Sequence, residues 1–257
     1  MLFVADNIYT EGDTDHMHPL RSLRALRPFE IVLWCASCTL ILISFLVAQA
    51  GFLSLFASLI GVSALIFIAK GDALGQFLTV IFALLYGFIS MQSHFWGEMI
   101  TYCFMSLPMA IAAAVSWLRH PSVNGTNEVE IRQLTKKQWY VLFLFTVAVT
   151  AAFCFVLYLL NTPLLVVSTI SIATSFSAAA LTFLRSPFYA IAYAANDIVL
   201  IILWSLQAMR SPGDEPLILC FVAFLCNDAY GFYNWRRMER RQLVLRQIKN
   251  AQTNNVV

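Results

Sequence analysis

Charged residues are scarce in this chain. Asp, Glu, Lys and Arg make up 12% of its 257 residues, and 60% of the residues are hydrophobic. A soluble domain has about 25% charged residues. So few charges cannot cover the water-exposed surface of a domain this size, so lipid must solvate most of the chain. The net charge of +2 is too small to indicate a nucleic-acid partner.

Signatures of catalysis and of metal binding are also missing from the sequence. It contains no GxSxG, HExxH or P-loop motif, and no nucleophile–base pair stands out. The six cysteines fall within apolar runs, where we interpret them as small packing residues rather than disulfide partners or ligands. The sequence therefore predicts no catalytic residue, no metal site and no cofactor, and favours a protein that is not an enzyme.

Apolar runs of about 20 residues, the length that crosses a bilayer as a helix, occur eight times. Alternating ten-residue segments typical of membrane β-barrels are absent. An acidic tail precedes the first run, which predicts a true span rather than a cleaved signal peptide. The predicted spans are Phe29–Ala48, Leu53–Ala69, Leu74–Met91, Met99–Leu118, Trp139–Leu160, Leu164–Leu184, Phe188–Met209 and Leu217–Trp235. The predicted organisation is an N-terminal tail (1–28), a first half (29–118), a loop (119–138), a second half (139–235) and a basic tail (236–257).

The positions of the basic residues predict how the chain is oriented in the membrane. With eight spans, 15 of the 16 Lys and Arg residues fall on one side, and only Arg210 falls on the other. Positively charged loops stay in the cytoplasm. The pattern therefore predicts a multi-pass protein of the bacterial inner membrane with both termini in the cytoplasm.

The two halves of the chain are weakly similar to each other. An offset of 115 residues aligns Lys70 with Arg185, and an offset of 118 aligns Trp117 with Trp235. Each half has one leading helix and three further helices, and an even number of spans per half gives parallel repeats. We therefore predict two parallel three-helix bundles, joined by a linker helix and preceded by an extra N-terminal helix. Substrate sites of such proteins lie at the repeat interface near mid-membrane.

Acidic residues deep within the predicted spans occur in two pairs, Asn196-Asp197 and Asn227-Asp228. Ionisable groups inside a membrane mark function by default, whereas the alternative is a polar clamp between helices. For Asn196 we hypothesise that the ligand, or a water that the ligand displaces, satisfies the amide. Only these two acids lie well inside the spans, and neither is expected to have an acidic partner that would form a proton relay, which favours transport without ion coupling.

Aromatic residues near span ends have a simpler explanation. Trp96, Trp117, Trp139 and Trp235 are predicted to belong to the aromatic belt at the membrane interface. Trp204 lies further inside its span and is a better candidate for a binding role. Gln76 and Tyr86 are ten residues apart, close to three helical turns, so they share one face of the third span.

Polar residues recur at particular places within four otherwise apolar stretches. These are AKGDALGQFLTVIFALLYG (residues 69–87), WGEMITY (96–102) with the later LPM (107–109), YAANDIVL (193–200) and CNDAYGFYNWRRM (226–238). Together these motifs resemble the PnuC family of bacterial nicotinamide riboside transporters. The resemblance covers about residues 28–242. It implies a fold related to the SWEET sugar carriers, and uptake of nicotinamide riboside by facilitated diffusion, with phosphorylation in the cytosol trapping the vitamin.

The resemblance also implies that polar and aromatic positions of the two bundles bind the substrate. These positions are Gln76, Thr79, Tyr86, Gln92, Tyr102, Asn196, Asp197, Trp204 and Asn227. Tyr and Trp faces suit a pyridinium cation, and an ionised Asp197 balances its charge. The spans contain no Arg or Lys for a phosphate, which argues against the mononucleotide. A related carrier of a sugar or another nucleoside-like solute, with or without proton coupling, stays an alternative, and the oligomeric state is open, a homo-oligomer included.

Overall fold

The structure, a computed structural model, describes residues 26–48, 51–92, 96–122, 128–162, 164–209 and 215–254. Most of the predicted N-terminal tail, and Arg210, lie outside these residues. Within them the chain is helical, and eight helices are long and apolar enough to cross a membrane, which confirms the predicted number of spans. The helices are α1 (Pro28–Ala48), α2 (Phe52–Ala69), α3 (Leu74–Gln92), α4 (Trp96–Arg119), α5 (Lys136–Leu159), α6 (Leu165–Phe183), α7 (Tyr189–Ala208) and α8 (Glu215–Asn254).

Helix α4 changes its winding inside the bundle. It is α-helical over Trp96–Ile100, π-helical over Thr101–Ser106 and α-helical again over Leu107–Arg119. Pro108 follows the π-helical turn and has no amide hydrogen to donate back to it. Such π-helical turns are frequent at functional sites.

Helix α8 extends far beyond the apolar run that predicted it. The predicted span ends at Trp235, but the helix continues to Asn254 and carries the basic residues with it. Within the described part of the chain, the region assigned to a basic tail is therefore largely a helical extension. This extension lies beside residues 128–131 of the loop between α4 and α5: Gln242 accepts a hydrogen bond from the Ile131 amide and donates one to the Val129 carbonyl.

The helices pack as two groups of three. Within the first group α3 contacts both α2 and α4, and within the second group α7 contacts both α6 and α8. The groups meet where α2 contacts α8 and where α4 contacts α6. Helix α1 packs against α2 and α8, and α5 packs against α6. In chain order, α1 precedes the first group of three and α5 precedes the second.

Two turns at the same end of the bundles share a pattern of hydrogen bonds. After α2, the Gly71 amide donates to the Ile68 carbonyl and the Asp72 amide to Phe67. After α6, the Arg185 amide donates to Thr182 and the Ser186 amide to Leu181. Gly71 corresponds to Arg185 in these two turns, at a separation of 114 positions. The sequence alignment used a separation of 115 and paired Arg185 with Lys70 instead.

Two tryptophans predicted to lie in the membrane belt are instead buried between the bundles. Trp117 donates its indole N–H to the Thr182 carbonyl, and Trp235 donates to the Ile68 carbonyl. Both side chains are almost completely buried. The belt prediction is therefore wrong for these two residues, because a backbone acceptor inside the protein satisfies the indole. Trp96 and Trp139 are exposed, as expected for a belt.

Candidate functional site

A cavity of about 60 Å³ lies between the two bundles. All six bundle helices contribute to its wall. The lining residues are Gly61, Ala64, Leu65, Ile68, Thr79, Phe82, Ala83, Tyr102, Ser106, Ser175, Tyr193, Asn196, Asp197, Phe221, Phe224 and Asp228. This position, at the interface between the bundles, is where the sequence predicts a substrate site.

Two carboxyl groups face this cavity from neighbouring helices. Asp197 of α7 and Asp228 of α8 both line it, and both are at most 3% exposed. Their side chains lie within hydrogen-bonding distance of each other. Asp197 Oδ2 has no hydrogen-bond partner among the described residues. Because a carboxyl–carboxyl hydrogen bond needs a proton, the two groups act as one unit.

This pair overturns one of the sequence-based arguments. The expectation of transport without ion coupling was based on the lack of an acidic partner for either Asp, and each Asp has the other as its partner. The two residues are 31 positions apart, and only the contact between α7 and α8 brings them together. The structure therefore removes this reason for excluding a proton.

Asn196 lines the cavity and also joins two helices of its bundle. Its Oδ1 accepts hydrogen bonds from Thr174 Oγ1 at 2.9 Å and from Ser175 Oγ at 2.8 Å, both on α6. The hypothesis that a ligand or water satisfies the whole amide is therefore wrong for the carbonyl end. The amide nitrogen is the end of this side chain that stays available for a ligand.

Tyr102 and Thr79 are the other two predicted site residues that line the cavity. Tyr102 belongs to the π-helical turn of α4, as does Ser106, so the unusual winding places two hydroxyl-bearing side chains on this wall. Thr79 already donates its hydroxyl hydrogen to the Gly75 carbonyl, 2.9 Å away. Because its only hydroxyl hydrogen is used in this bond, Thr79 can only accept a hydrogen bond from a group in the cavity.

Tyr86 and Trp204 bind each other rather than lining the cavity. The indole Nε1–H of Trp204 donates to the Tyr86 hydroxyl across 3.1 Å, and both side chains are almost fully buried. The Tyr86 ring lies 4.3 Å, centroid to centroid, from the ring of Tyr102, which does face the cavity. The pair is therefore the layer directly behind the cavity wall, towards the end of the bundle where α3 and α7 terminate.

Three predicted site residues lie elsewhere. Gln76 is buried near the start of α3 with its Nε2 unpartnered among the described residues, and Gln92 is exposed at the end of that helix. Asn227 points away from the cavity: its Nδ2 donates to Ser37 Oγ of α1 and to the Ala223 carbonyl. For Asn227 the contact is the helix clamp that the sequence offers as an alternative role.

Several lining residues were not among the predicted site residues. Asp228 lines the cavity although its neighbour Asn227 was predicted to do so, and Ser175 and Tyr193 complete the polar part of the wall. Glu98 is a further buried acid, which precedes the predicted start of the fourth span and lies near Tyr86 and Tyr102. The sequence feature that could have identified Glu98 as a site candidate was its position in the WGEMITY motif.

The chemistry of the cavity selects against anions. Its described lining residues include two carboxyl groups, an amide and several hydroxyls, but no Lys or Arg. The aromatic faces of Phe82, Phe221 and Tyr102 surround these groups and can attract a flat cation. At about 60 Å³ the cavity is far below the roughly 300–1,000 Å³ of a ligand pocket. The bundles must therefore move apart before a solute of nucleoside size can enter.

Comparison with known proteins connects this architecture to a transporter family. The family described as nicotinamide mononucleotide transporter matches residues 51–237. A relative from Neisseria mucosa named nicotinamide riboside transporter PnuC is 25% identical over 189 residues, which cover 72% of each chain. A relative of the same name from Haemophilus influenzae is 26% identical over 218 residues, covering 84% of this chain and 92% of that one.

A solved structure shows the same fold. The crystal structure of the vitamin B3 transporter PnuC aligns with a TM-score of 0.78 at 24% identity, covering 87% of this chain and 97% of that one. The matched family region includes both bundles and every residue that lines the cavity. This chain therefore belongs to the nicotinamide mononucleotide transporter family of membrane proteins.

Proposed function

We propose that this chain carries nicotinamide riboside across the membrane through the cavity between its bundles. The observation that carries the proposal is the Asp197–Asp228 pair, which faces a cavity without a described basic lining residue. Both curated relatives are named nicotinamide riboside transporters. A pyridinium cation needs a carboxylate and aromatic faces, and this wall supplies both.

The same wall disfavours the mononucleotide, although the family description names that compound. A phosphate group brings negative charge next to Asp197 and Asp228, and like charges in a low-dielectric site repel strongly. Phosphate binding relies on Arg, Lys or backbone amides at helix ends. The ribose hydroxyls and the carboxamide match the Asn196 amide nitrogen and the hydroxyls of Tyr102 and Ser106.

Transport requires the bundles to open alternately to the two sides, because the cavity is too small to admit the solute from either side as it stands. We infer facilitated diffusion, with phosphorylation by a cytosolic enzyme trapping the vitamin and no catalytic activity in this chain. We also infer an inner-membrane location with both termini in the cytoplasm, since the loop after α4, the turns after α2 and α6, and the α8 extension carry the basic residues.

Reconstituted vesicles test this proposal. Uptake of labelled nicotinamide riboside is expected to equilibrate, and excess unlabelled riboside is expected to compete, whereas ribose and the mononucleotide are not. Competition by ribose alone, at similar concentrations, would favour the sugar-carrier alternative. Accumulation that follows an imposed proton gradient, with the membrane potential clamped at zero, would favour the proton-coupled alternative.

A further inference from the structure

A second cavity, of about 390 Å³, opens on the basic face of the protein, away from the space between the bundles. We name it the basic-face pocket. Three elements line it: the loop after α4, the turn after α6 and the extension of α8. Its lining residues are Glu130, Ile131, Arg132, Gln133, Arg185, Glu239, Leu243 and Arg246. Its volume falls within the roughly 300–1,000 Å³ of small-ligand sites.

Both carboxylates of the basic-face pocket are already neutralised. Glu130 Oε1 accepts a hydrogen bond from Arg246 at 2.5 Å. Glu239 accepts one from Arg236 at 2.6 Å and another from Gln133 at 3.0 Å. Among the described residues, Arg132 has no ion-pair partner, and Arg185 shares Glu130 with Arg246. The lining thus has three arginines and two glutamates. The pocket therefore carries an excess of positive charge.

Among the residues that line the basic-face pocket, Arg185 has an unusual environment. Its side chain is only 8% exposed, yet its Nε and Nη1 have no hydrogen-bond acceptor among the described residues. The closest carboxylate oxygen, Glu130 Oε2, is 3.6 Å from Nη1, which is too long for a hydrogen bond. Burial lowers the pKa of this guanidinium, Glu130 opposes that shift, and the charges of Arg132 and Arg246 add to it.

The backbone at Arg185 adds a second, independent observation. Arg185 has a φ of 59°, in the left-handed region that a side chain disfavours. The matching position in the turn after α2 is Gly71, with a φ of 71°. An arginine here costs backbone energy that a glycine avoids, and such strained positions cluster at functional sites. A function for the guanidinium group of Arg185 would explain why an arginine occupies this strained position.

We propose that the basic-face pocket binds a phosphate group. A dianionic phosphate offers acceptors to the Arg185 guanidinium, whose Nε and Nη1 have none among the described residues, and the exposed Arg132 supplies further charge. The phosphate belongs either to a soluble phosphomonoester or to the headgroup of an anionic lipid. This site is separate from the cavity that faces Asp197, so the two proposals stand or fail separately.

Binding is tested with the full chain in nanodiscs of zwitterionic lipid, by thermal unfolding and by calorimetry. The probes are inorganic phosphate and adenosine monophosphate, at constant ionic strength set with sodium chloride. Arg185→Asn is the test variant, because asparagine tolerates a positive φ. Arg240→Asn is the matched control, since Arg240 is an exposed residue on the same helical extension and does not line the pocket. Arg132→Gln is a second test variant at an exposed position.

Saturable binding by the wild type and by Arg240→Asn, weakened about tenfold or more in Arg185→Asn, supports a soluble phosphomonoester. No response to these probes, but stabilisation by anionic lipid in the nanodisc that Arg185→Asn and Arg132→Gln both diminish, supports a lipid headgroup. If Arg185→Asn fails to fold, weaker binding by Arg132→Gln than by the wild type supports the proposal. No response of the wild type to either source, or equal responses of the pocket variants and Arg240→Asn, overturns it.

Discussion

Trp117 and Trp235 pack against each other with ring centroids 5.4 Å apart, and each donates its indole N–H to a backbone carbonyl of the opposite bundle. The two acceptors, Thr182 and Ile68, are the penultimate residues of α6 and α2. The hydrogen bond from Trp117 of the first bundle to the second bundle thus corresponds to the one from Trp235 of the second bundle to the first. The predicted repeat requires this kind of correspondence.

The paired bonds predict equal effects of two substitutions. Trp117→Phe and Trp235→Phe each remove one hydrogen bond between the bundles, which costs about 0.5–1.5 kcal/mol of stability. The Thr182 and Ile68 carbonyls keep their bonds from the turn amides of Arg185 and Gly71. We expect both variants to lower the thermal unfolding temperature by similar amounts in detergent. Trp139→Phe, at an exposed position, is the matched control and is expected to stay close to wild type. A large loss for one buried tryptophan and none for the other would contradict the correspondence.

Asn196 is expected to serve both helix packing and binding. Asn196→Ala removes the acceptor of Thr174 and Ser175, so stability falls by about 1–3 kcal/mol, and it removes the amide nitrogen from the cavity, so affinity for nicotinamide riboside falls about tenfold. Thr174→Val removes one bond of the clamp at a residue that does not line the cavity. This variant is expected to lose stability but to keep wild-type affinity. Unchanged affinity in folded Asn196→Ala would remove this residue from the binding site.

Gly75 lies where α3 approaches the backbone of α2 closely. A Cβ atom at this position would lie 2.5 Å from the Ile68 amide nitrogen and 2.9 Å from the Ala64 carbonyl oxygen, which are backbone atoms that cannot rotate away. We expect Gly75→Ala to destabilise the protein by about 1–3 kcal/mol or more, seen as a lower yield of monodisperse protein. Gly51→Ala is the control, because a Cβ there meets no atom within 4 Å. Equal yields of the two variants would show that the helices separate at no cost.

The Asp197–Asp228 pair predicts that binding depends on pH. Protons and a cationic ligand compete for the same carboxyl oxygens, so the affinity for nicotinamide riboside is expected to fall as the pH falls. The steepest change that displacement of one proton allows is about tenfold per pH unit. Asp197→Asn is expected to bind weakly at every pH, with a flatter profile. Wild-type affinity that stays constant between pH 5 and pH 8, a range set by the assay, would show that no proton is displaced.

The number and order of the spans could be predicted because they depend on length and polarity along the chain. Each span needs about 20 apolar residues, and the turns between spans contain the basic residues, so both signals are local. The end of α8 could not be predicted in this way. Its extension is polar, and contacts such as the bond from the Ile131 amide to Gln242 support it from outside the apolar region.

Which side chain of a pair faces the cavity was not predictable, because it depends on helix rotation. Asn227 and Asp228 are neighbours, so their side chains point about 100° apart on the helix. Packing of α8 against both α1 and α7 turns Asn227 towards Ser37 and Asp228 towards Asp197. The sequence identified the Asn-Asp pair, and tertiary contacts decided which member reaches the site.

Recognition of a cationic nucleoside by the paired carboxyl groups is tested most directly by calorimetry on purified wild-type protein and Asp197→Asn. The ligands are nicotinamide riboside, its uncharged reduced form, and the mononucleotide. We expect the wild type to bind the cationic riboside at least about tenfold more tightly than the other two ligands, and Asp197→Asn to lose this preference. Equal wild-type affinity for the cationic and the reduced riboside, or an unchanged preference in Asp197→Asn, would contradict it.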